Sequence, residues 1–241
     1  MRKTITAAVV VAALTGCEID YYEKGEGEMS LVTAEMGMAH CDGERQVDYM
    51  LTDGGLRLAM APGLTADWMT TGDSTYRVLL YYKRTGEEQA EAVSMSRVGV
   101  MTPHALTEGK NGEAAPQMKS DPLHWESAWV SADGRWLNLR LRLMTGRSDD
   151  EKALQTLGLV PDTVQRAKRH QHLRLYHDQG GQPQHYSTVA YASMAIDADS
   201  TDSITLTVNT YEGEVTRSFA TTRYRFFTRR ARQASPSDDA P

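Results

Sequence analysis

Trp136-Leu137-Asn138-Leu139-Arg140-Leu141-Arg142-Leu143 alternates polar or aromatic with leucine at every step. Successive side chains of a β-strand point to opposite faces, so the four leucines share one side and Trp136, Asn138, Arg140 and Arg142 the other. Wound as a helix, the same residues would spread the leucines around the axis and leave no apolar stripe. The stretch therefore reads as a half-buried antiparallel strand, leucines in the core and the alternate set toward water. Ile204, Leu206 and Val208 alternate with Thr205, Thr207 and Asn209 in the same way.

Outward from these two strands, Asp53-Gly54-Gly55, Asp133-Gly134 and Glu212-Gly213 supply the positive φ that tight hairpins require. Residues 108–122 carry Gly109, Asn111, Gly112, Pro116, Ser120 and Pro122 with no apolar period, and are expected to link two domains. Before the linker, five strands are expected at about 29–40, 45–51, 56–60, 76–85 and 92–101. Five short strands in residues 29–107 suit a small OB-like barrel. After it, strands at about 124–130, 135–144, 170–177, 186–196, 203–211 and 214–227 suit an antiparallel β-sandwich over 123–230. The expected class is all-β.

One segment breaks the pattern. Ser148-Asp149-Asp150-Glu151 has the form of a helix capping box, Ala153, Leu154 and Leu157 follow at helical spacing, and Gly158 suits a C-cap. A short helical insertion is expected over 148–169, its acidic start and its basic end (Arg166, Lys168, Arg169) matching a helix dipole.

The N-terminus gives an address. Met1-Arg2-Lys3 precedes a ten-residue apolar run, Ile5 to Leu14, long enough for a secretory signal and too short to span a bilayer. Leu14-Thr15-Gly16-Cys17 resembles a bacterial lipobox, with small residues to enter a peptidase cleft and a thiol to accept the lipid. Residues 1–16 are thus expected to be a cleaved signal peptide and Cys17 the acylated residue, placing the protein on the cell envelope. The outer membrane is the expected bilayer. Residues 17–28 are acidic and glycine-bearing, as a solvated tether would be, and 231–241 are Ala/Ser/Asp/Pro-rich, as an unstructured tail would be. With Cys17 acylated, Cys41 has no cysteine left to pair with and is expected to pack as a small hydrophobe.

Charge excludes another class. The chain carries -6 overall, and removal of Arg2 and Lys3 with the signal leaves -8. A nucleic-acid binder needs a basic face to displace phosphate counterions, so no nucleic-acid partner is expected even for an OB-like barrel.

Few residues point to chemistry. His170 and His172, two apart on an expected strand, put two imidazoles on one face, but zinc asks for three or four ligands and His177 has the opposite parity. Asp197, Asp199 and Asp202 could offer oxygens to calcium, yet the spacing lacks the glycine and final glutamate of an EF-hand loop. Glu87 and Glu88 are adjacent in a turn, where they read as solvated charge. None of the motifs G-x-S-x-G, H-E-x-x-H, G-x-x-x-x-G-K-[ST] or C-x-x-C occurs, so neither an enzyme nor a cofactor is expected; the alternative is a hydrolase site built between the domains. Trp125 and Trp129 share parity on one expected strand, and with Trp136 they are the candidates for binding, as are Tyr81 and Tyr82 on the barrel. Turned outward, the tryptophans would form a platform for a glycan; turned inward, they fill the core. Besides the bilayer, the expected partner is an envelope protein or peptide, with a glycan as the alternative.

These features together resemble a known family. A lipobox cysteine, an acidic tether, a small barrel with Asp53-Gly54-Gly55-Leu56 in its hairpin and a closing Val208-Asn209-Thr210-Tyr211-Glu212-Gly213-Glu214 are similar to the NigD-like lipoproteins of Bacteroidota. The resemblance implies an N-terminal OB domain, a C-terminal β-sandwich and an envelope lipoprotein. It implies no catalytic residues.

Overall fold

The computed structural model describes residues 31–107, 114–147, 153–162, 169–197 and 199–221. Residues 1–30, on which the expected signal peptide, Cys17 and tether fall, and residues 108–113, 148–152, 163–168, 198 and 222–241 lie outside the described residues. The described strands run β1 (Val32–Cys41), β2 (Val47–Thr52), β3 (Arg57–Met60), β4 (Ser74–Arg84), β5 (Gln89–Arg97), β6 (Gly99–Val100), β7 (His124–Val130), β8 (Trp136–Thr145), β9 (Thr156–Pro161), β10 (His170–Asp178), β11 (Tyr186–Ala195), β12 (Ser203–Thr210) and β13 (Gly213–Ala220). All belong to one unit that starts at Val32.

β1 to β5 close into a barrel in the order β1-β2-β3-β5-β4, with β3 and β5 parallel and the other pairs antiparallel. This is the expected five-stranded OB-like arrangement. β1 holds it together by pairing with β4 over its whole length and with β2 over its second half. Where β1 meets β2, at Gly37, a Cβ atom would lie 2.5 Å from the Leu51 carbonyl oxygen and 3.0 Å from Thr52 Cα, so only glycine lets the two strands approach. Val47, Met50, Leu58, Val78 and Leu80 fill the interior. Cys41 is buried there, its thiol 3.3 Å from the Thr71 carbonyl and 3.4 Å from that of Ser74.

The remaining strands form two four-stranded sheets, β13-β12-β10-β9 and β6-β11-β8-β7, which enclose the second core. Leu137, Leu139, Leu141 and Leu143 of β8 meet Leu173 and Leu175 of β10 and Ile204, Leu206 and Val208 of β12 in that core. The leucine face is therefore inward, as the alternation predicts.

Two strands depart from expectation. Residues 156–161, assigned to the helical insertion, form β9, with Leu157, Leu159 and Pro161 opposite His177, Leu175 and Leu173. No helix occurs among the described residues. Pairing with β10 overrides the local helical spacing; Leu159 is buried in the sandwich core, and Pro161 is tolerated because β9 is a sheet edge. The second departure is at 92–101. β5 leaves the barrel at Arg97, and Gly99–Val100 joins the sandwich beside β11 instead. Within the expected linker, Lys119 and Asp121 exchange backbone hydrogen bonds with His177, and Leu123 N donates to Asn209 O at 3.3 Å, which stitches 119–123 alongside β10 and β12.

The alternate face of β8 is where the barrel docks. Asn138 is wholly buried, although the alternation assigns it to water. Arg77 of β4, 3% exposed, forks onto both carboxylate oxygens of Asp53 from the β2–β3 hairpin, with Nη2 to Oδ2 at 2.7 Å. The same guanidinium donates to Asn138 Oδ1 at 2.8 Å and to Ser193 Oγ of β11 at 3.1 Å, and lies 4.4 Å from the ring centre of Trp136. Asn138 Nδ2 donates to Asp53 Oδ2 at 2.9 Å, and Ser193 donates to Asn138 Oδ1 at 2.7 Å. Beside this clasp, Asp133 N donates to Asp53 O at 2.9 Å, and Met36, Leu79 and Val98 form a small apolar seam with Tyr81 and Tyr191. Every polar group of the clasp is matched, which is the condition for burying charge.

Candidate functional site

A cleft of about 610 Å³ opens next to the clasp, walled by the barrel on one side and the sandwich on the other. From the barrel come Glu35 and Met36 of β1, the turn residues Asp53 and Gly54, and Leu79 and Tyr81 of β4; from the sandwich come Trp129 of β7, Arg140 of β8 and Tyr191 of β11.

Trp129 reaches this wall through a bulge. Trp125 pairs with Leu141 and Ser127 with Arg140, so Glu126 is an extra residue on β7 and the alternation inverts across it. The two tryptophans consequently face opposite sides, correcting the shared face that strict period two predicts. Trp125 is 8% exposed, packed in the sandwich core with the Arg217 guanidinium 4.6 Å from its ring centre; Trp129 is 39% exposed. Trp136, the third candidate, is half-buried beneath Arg77 and serves the clasp. On the barrel, Tyr82 turns into the interior while Tyr81 lines the cleft.

The charged groups of the lining are held in place. Glu35 accepts from Tyr82 Oη at 3.0 Å and from Gly54 N at 3.3 Å. Burial, that hydrogen bond and the negative charge of Glu35 push the Tyr82 phenol up to about 12, so at neutral pH it remains a donor that orients the carboxylate. Asp53 is consumed by Arg77. Arg140 lies 2.7 Å from Glu126, which also accepts from Arg142 Nε at 2.6 Å. The bulge residue thus separates two like charges on adjacent outward positions of β8. Among the described residues no histidine or cysteine lines the cleft.

The metal candidates are engaged elsewhere. His170 and His172 sit edge to face with ring centres 4.2 Å apart, but His170 Nδ1 bonds Ser203 Oγ and Nε2 bonds Thr205 Oγ1 at 3.0 Å. Burial, then the neighbouring His172, lowers the His170 pKa, which favours the neutral ring. His177 is buried and donates through Nδ1 to the Asp121 carbonyl at 2.8 Å. Asp197 accepts from Ser200 Oγ at 2.6 Å, and Asp202 pairs with Arg169, so the calcium candidates hold their own turn. Among the described residues no three His, Cys, Asp or Glu side chains converge as a metal site. On the outer barrel face that OB folds commonly use for single strands, the Tyr49 ring is covered by His40 at 4.7 Å and by the Arg57 guanidinium at 3.9 Å.

Glu35, Arg140 and Tyr191 are cleft residues that the sequence reading passes over, because each becomes part of a site only when the two domains meet. The signal that was available is Trp129 itself.

The family described as the NigD-like C-terminal beta sandwich domain matches residues 106–221. Among solved structures, a NigD-like immunity protein from Bacteroides caccae is 20% identical, with TM-score 0.57, over 77% of this chain and 91% of that one. A candidate toxin-related protein from Parabacteroides distasonis is 12% identical, with TM-score 0.58, over 82% and 98%. A candidate lipoprotein from Bacteroides fragilis is 12% identical, with TM-score 0.53, over 79% and 98%. At these identities the likeness is one of fold. No curated protein matches the chain.

Proposed function

For a chain that belongs to the NigD-like family through its C-terminal β-sandwich domain, we propose the role of a lipid-anchored, non-enzymatic binding module of the cell envelope. Residues 1–16 are removed, Cys17 carries the lipid in the outer membrane, 17–28 hold the body away from the bilayer, and the cleft between barrel and sandwich takes the partner. The observation that carries this reading is the buried Arg77–Asp53–Asn138–Ser193 clasp, which fixes both walls before any partner arrives. A preformed site spares the ordering cost that binding otherwise incurs. The neighbours named for immunity, for a toxin relationship and as a lipoprotein are in keeping with an accessory protein of the envelope. The lining supports a non-enzymatic role over a hydrolase, since its one carboxylate outside an ion pair, Glu35, has no histidine or cysteine beside it.

An envelope protein or peptide is one partner that fits; the exposure of Trp129 beside Tyr81 favours a glycan as the other. A photo-crosslinking residue in place of Tyr81, activated in intact cells, is expected to give discrete adducts that the same residue at the exposed, distant Glu88 does not. Identical patterns from both positions would remove the cleft from consideration. For the anchor, a clickable fatty acid should label the wild type and miss Cys17→Ala completely; a labelled variant refutes acylation at that residue.

A further inference from the structure

Resting on the reading of the cleft as the binding site, we infer that its ligand is an uncharged saccharide of one or two rings, carried on the face of Trp129. Three observations converge on this class. The first is size: about 610 Å³ lies within the range of roughly 300–1,000 Å³ typical of small-molecule sites, too little for a folded partner's loop to fill deeply.

The second is charge. Asp53 is cancelled by Arg77, and Glu126, shared between Arg140 and Arg142, leaves one positive charge that Glu35 balances. A near-neutral cleft offers no net attraction to a cationic or anionic ligand.

The third is the kind of surface. Trp129, Tyr81 and Tyr191 contribute aromatic carbon around a floor of Met36 and Leu79. None of the three rings is stacked on another described ring; Tyr81 and Tyr191 pack against the Met36–Leu79–Val98 seam, and Trp129, 39% exposed, offers the most open surface. The π-face of an aromatic ring is negative and attracts the C–H bonds on one side of a sugar ring, while the hydroxyls at the ring's edge need oriented partners. Glu35, fixed by Tyr82 and Gly54, supplies acceptors for hydroxyl protons, and Arg140 supplies donors for hydroxyl oxygens. A peptide would use the aromatic carbon too and could pair with the open edge of β7 or with residues 186–191 of β11, which pairs only with β8 there, so protein adducts are the competing outcome of the test.

The test is an array of neutral mono- and oligosaccharides probed with the full chain in detergent, followed by calorimetry with the saccharides retained. The expected result is retention of one or a few related sugars, with binding at least tenfold weaker in Trp129→Ala and restored to within about threefold in Trp129→Tyr. Glu35→Gln, which keeps an acceptor and changes its strength, should weaken binding several-fold. Retention undiminished in Trp129→Ala would overturn the assignment to this cleft. A silent array together with protein adducts from the crosslinker at position 81 would overturn the saccharide and leave the binding cleft standing. Silence in both would remove the two together.

Discussion

Arg77→Ala is expected to cost about 3–5 kcal/mol and to lower the thermal midpoint by on the order of 10 °C, the largest effect expected of truncating a polar side chain among the described residues. The loss comes from the four hydrogen bonds of the guanidinium and from what is left behind. Asp53 is almost wholly buried at the domain junction, and without the guanidinium its carboxylate keeps only the Asn138 amide as a side-chain partner. Ser193 loses its bond to the barrel, Asn138 keeps only its bond to Asp53, and Trp136 loses the cation above its ring. Arg77→Lys should recover only part of the loss, since an ammonium cannot fork onto both oxygens of Asp53 while reaching Asn138 and Ser193. Differential scanning calorimetry measures both variants. A shift of under about 2 °C for Arg77→Ala would mean that the clasp contributes nothing to coupling the domains.

Leu141→Ala is the second large effect, about 2–5 kcal/mol. Leu141 is fully buried midway along β8, flanked by Trp125 on β7 and Ala190 on β11, and faces the opposite sheet. Its neighbours are held on both sides by strand pairing, so they have little room to collapse into the space left. Leu143, nearer the end of the strand and slightly exposed, should cost less on the same change. Urea unfolding followed by circular dichroism reads the difference as a lowered midpoint with the slope unchanged. A smaller loss for Leu141→Ala than for Leu143→Ala would contradict the position of the core centre.

How far the fold was legible follows from which signals are local. The leucine alternation of β8 and the Ile204–Val208 alternation of β12 depend on nothing but the pleat, and both hold. The hairpin glycines are local too: Gly55, Gly134 and Gly213 all have positive φ. The resemblance to NigD-like proteins, carried by the layout and the last hairpin, is borne out by the match over 106–221. β9 was misread because a capping-box sequence and Leu154/Leu157 spacing are helical by local rules, whereas the pairing partner lies in β10. The paired face of the tryptophans failed on one residue, Glu126, which no pattern marks as a bulge. Asn138 reads as a water-facing position in any isolated strand; that a barrel would cover it is a property of residues sixty positions away. The site is illegible for the same reason. Trp129 can be nominated from sequence, but Glu35 and Arg140 become its neighbours only through docking.

Val98 alone separates the last barrel strand from the first sandwich strand, and it is buried with its N–H bonded to the Arg77 carbonyl. The consequence is one for inheritance and for dissection alike. A cut placed in the glycine-bearing stretch after position 107 would carry Gly99–Val100 away with the barrel and strip the sandwich of an edge strand, exposing β11. A cut at Val98 would instead sever the chain inside the apolar seam. Either half, cut out alone, therefore loses a buried contact that only the other supplies, so the two cores are expected to be most stable as one piece.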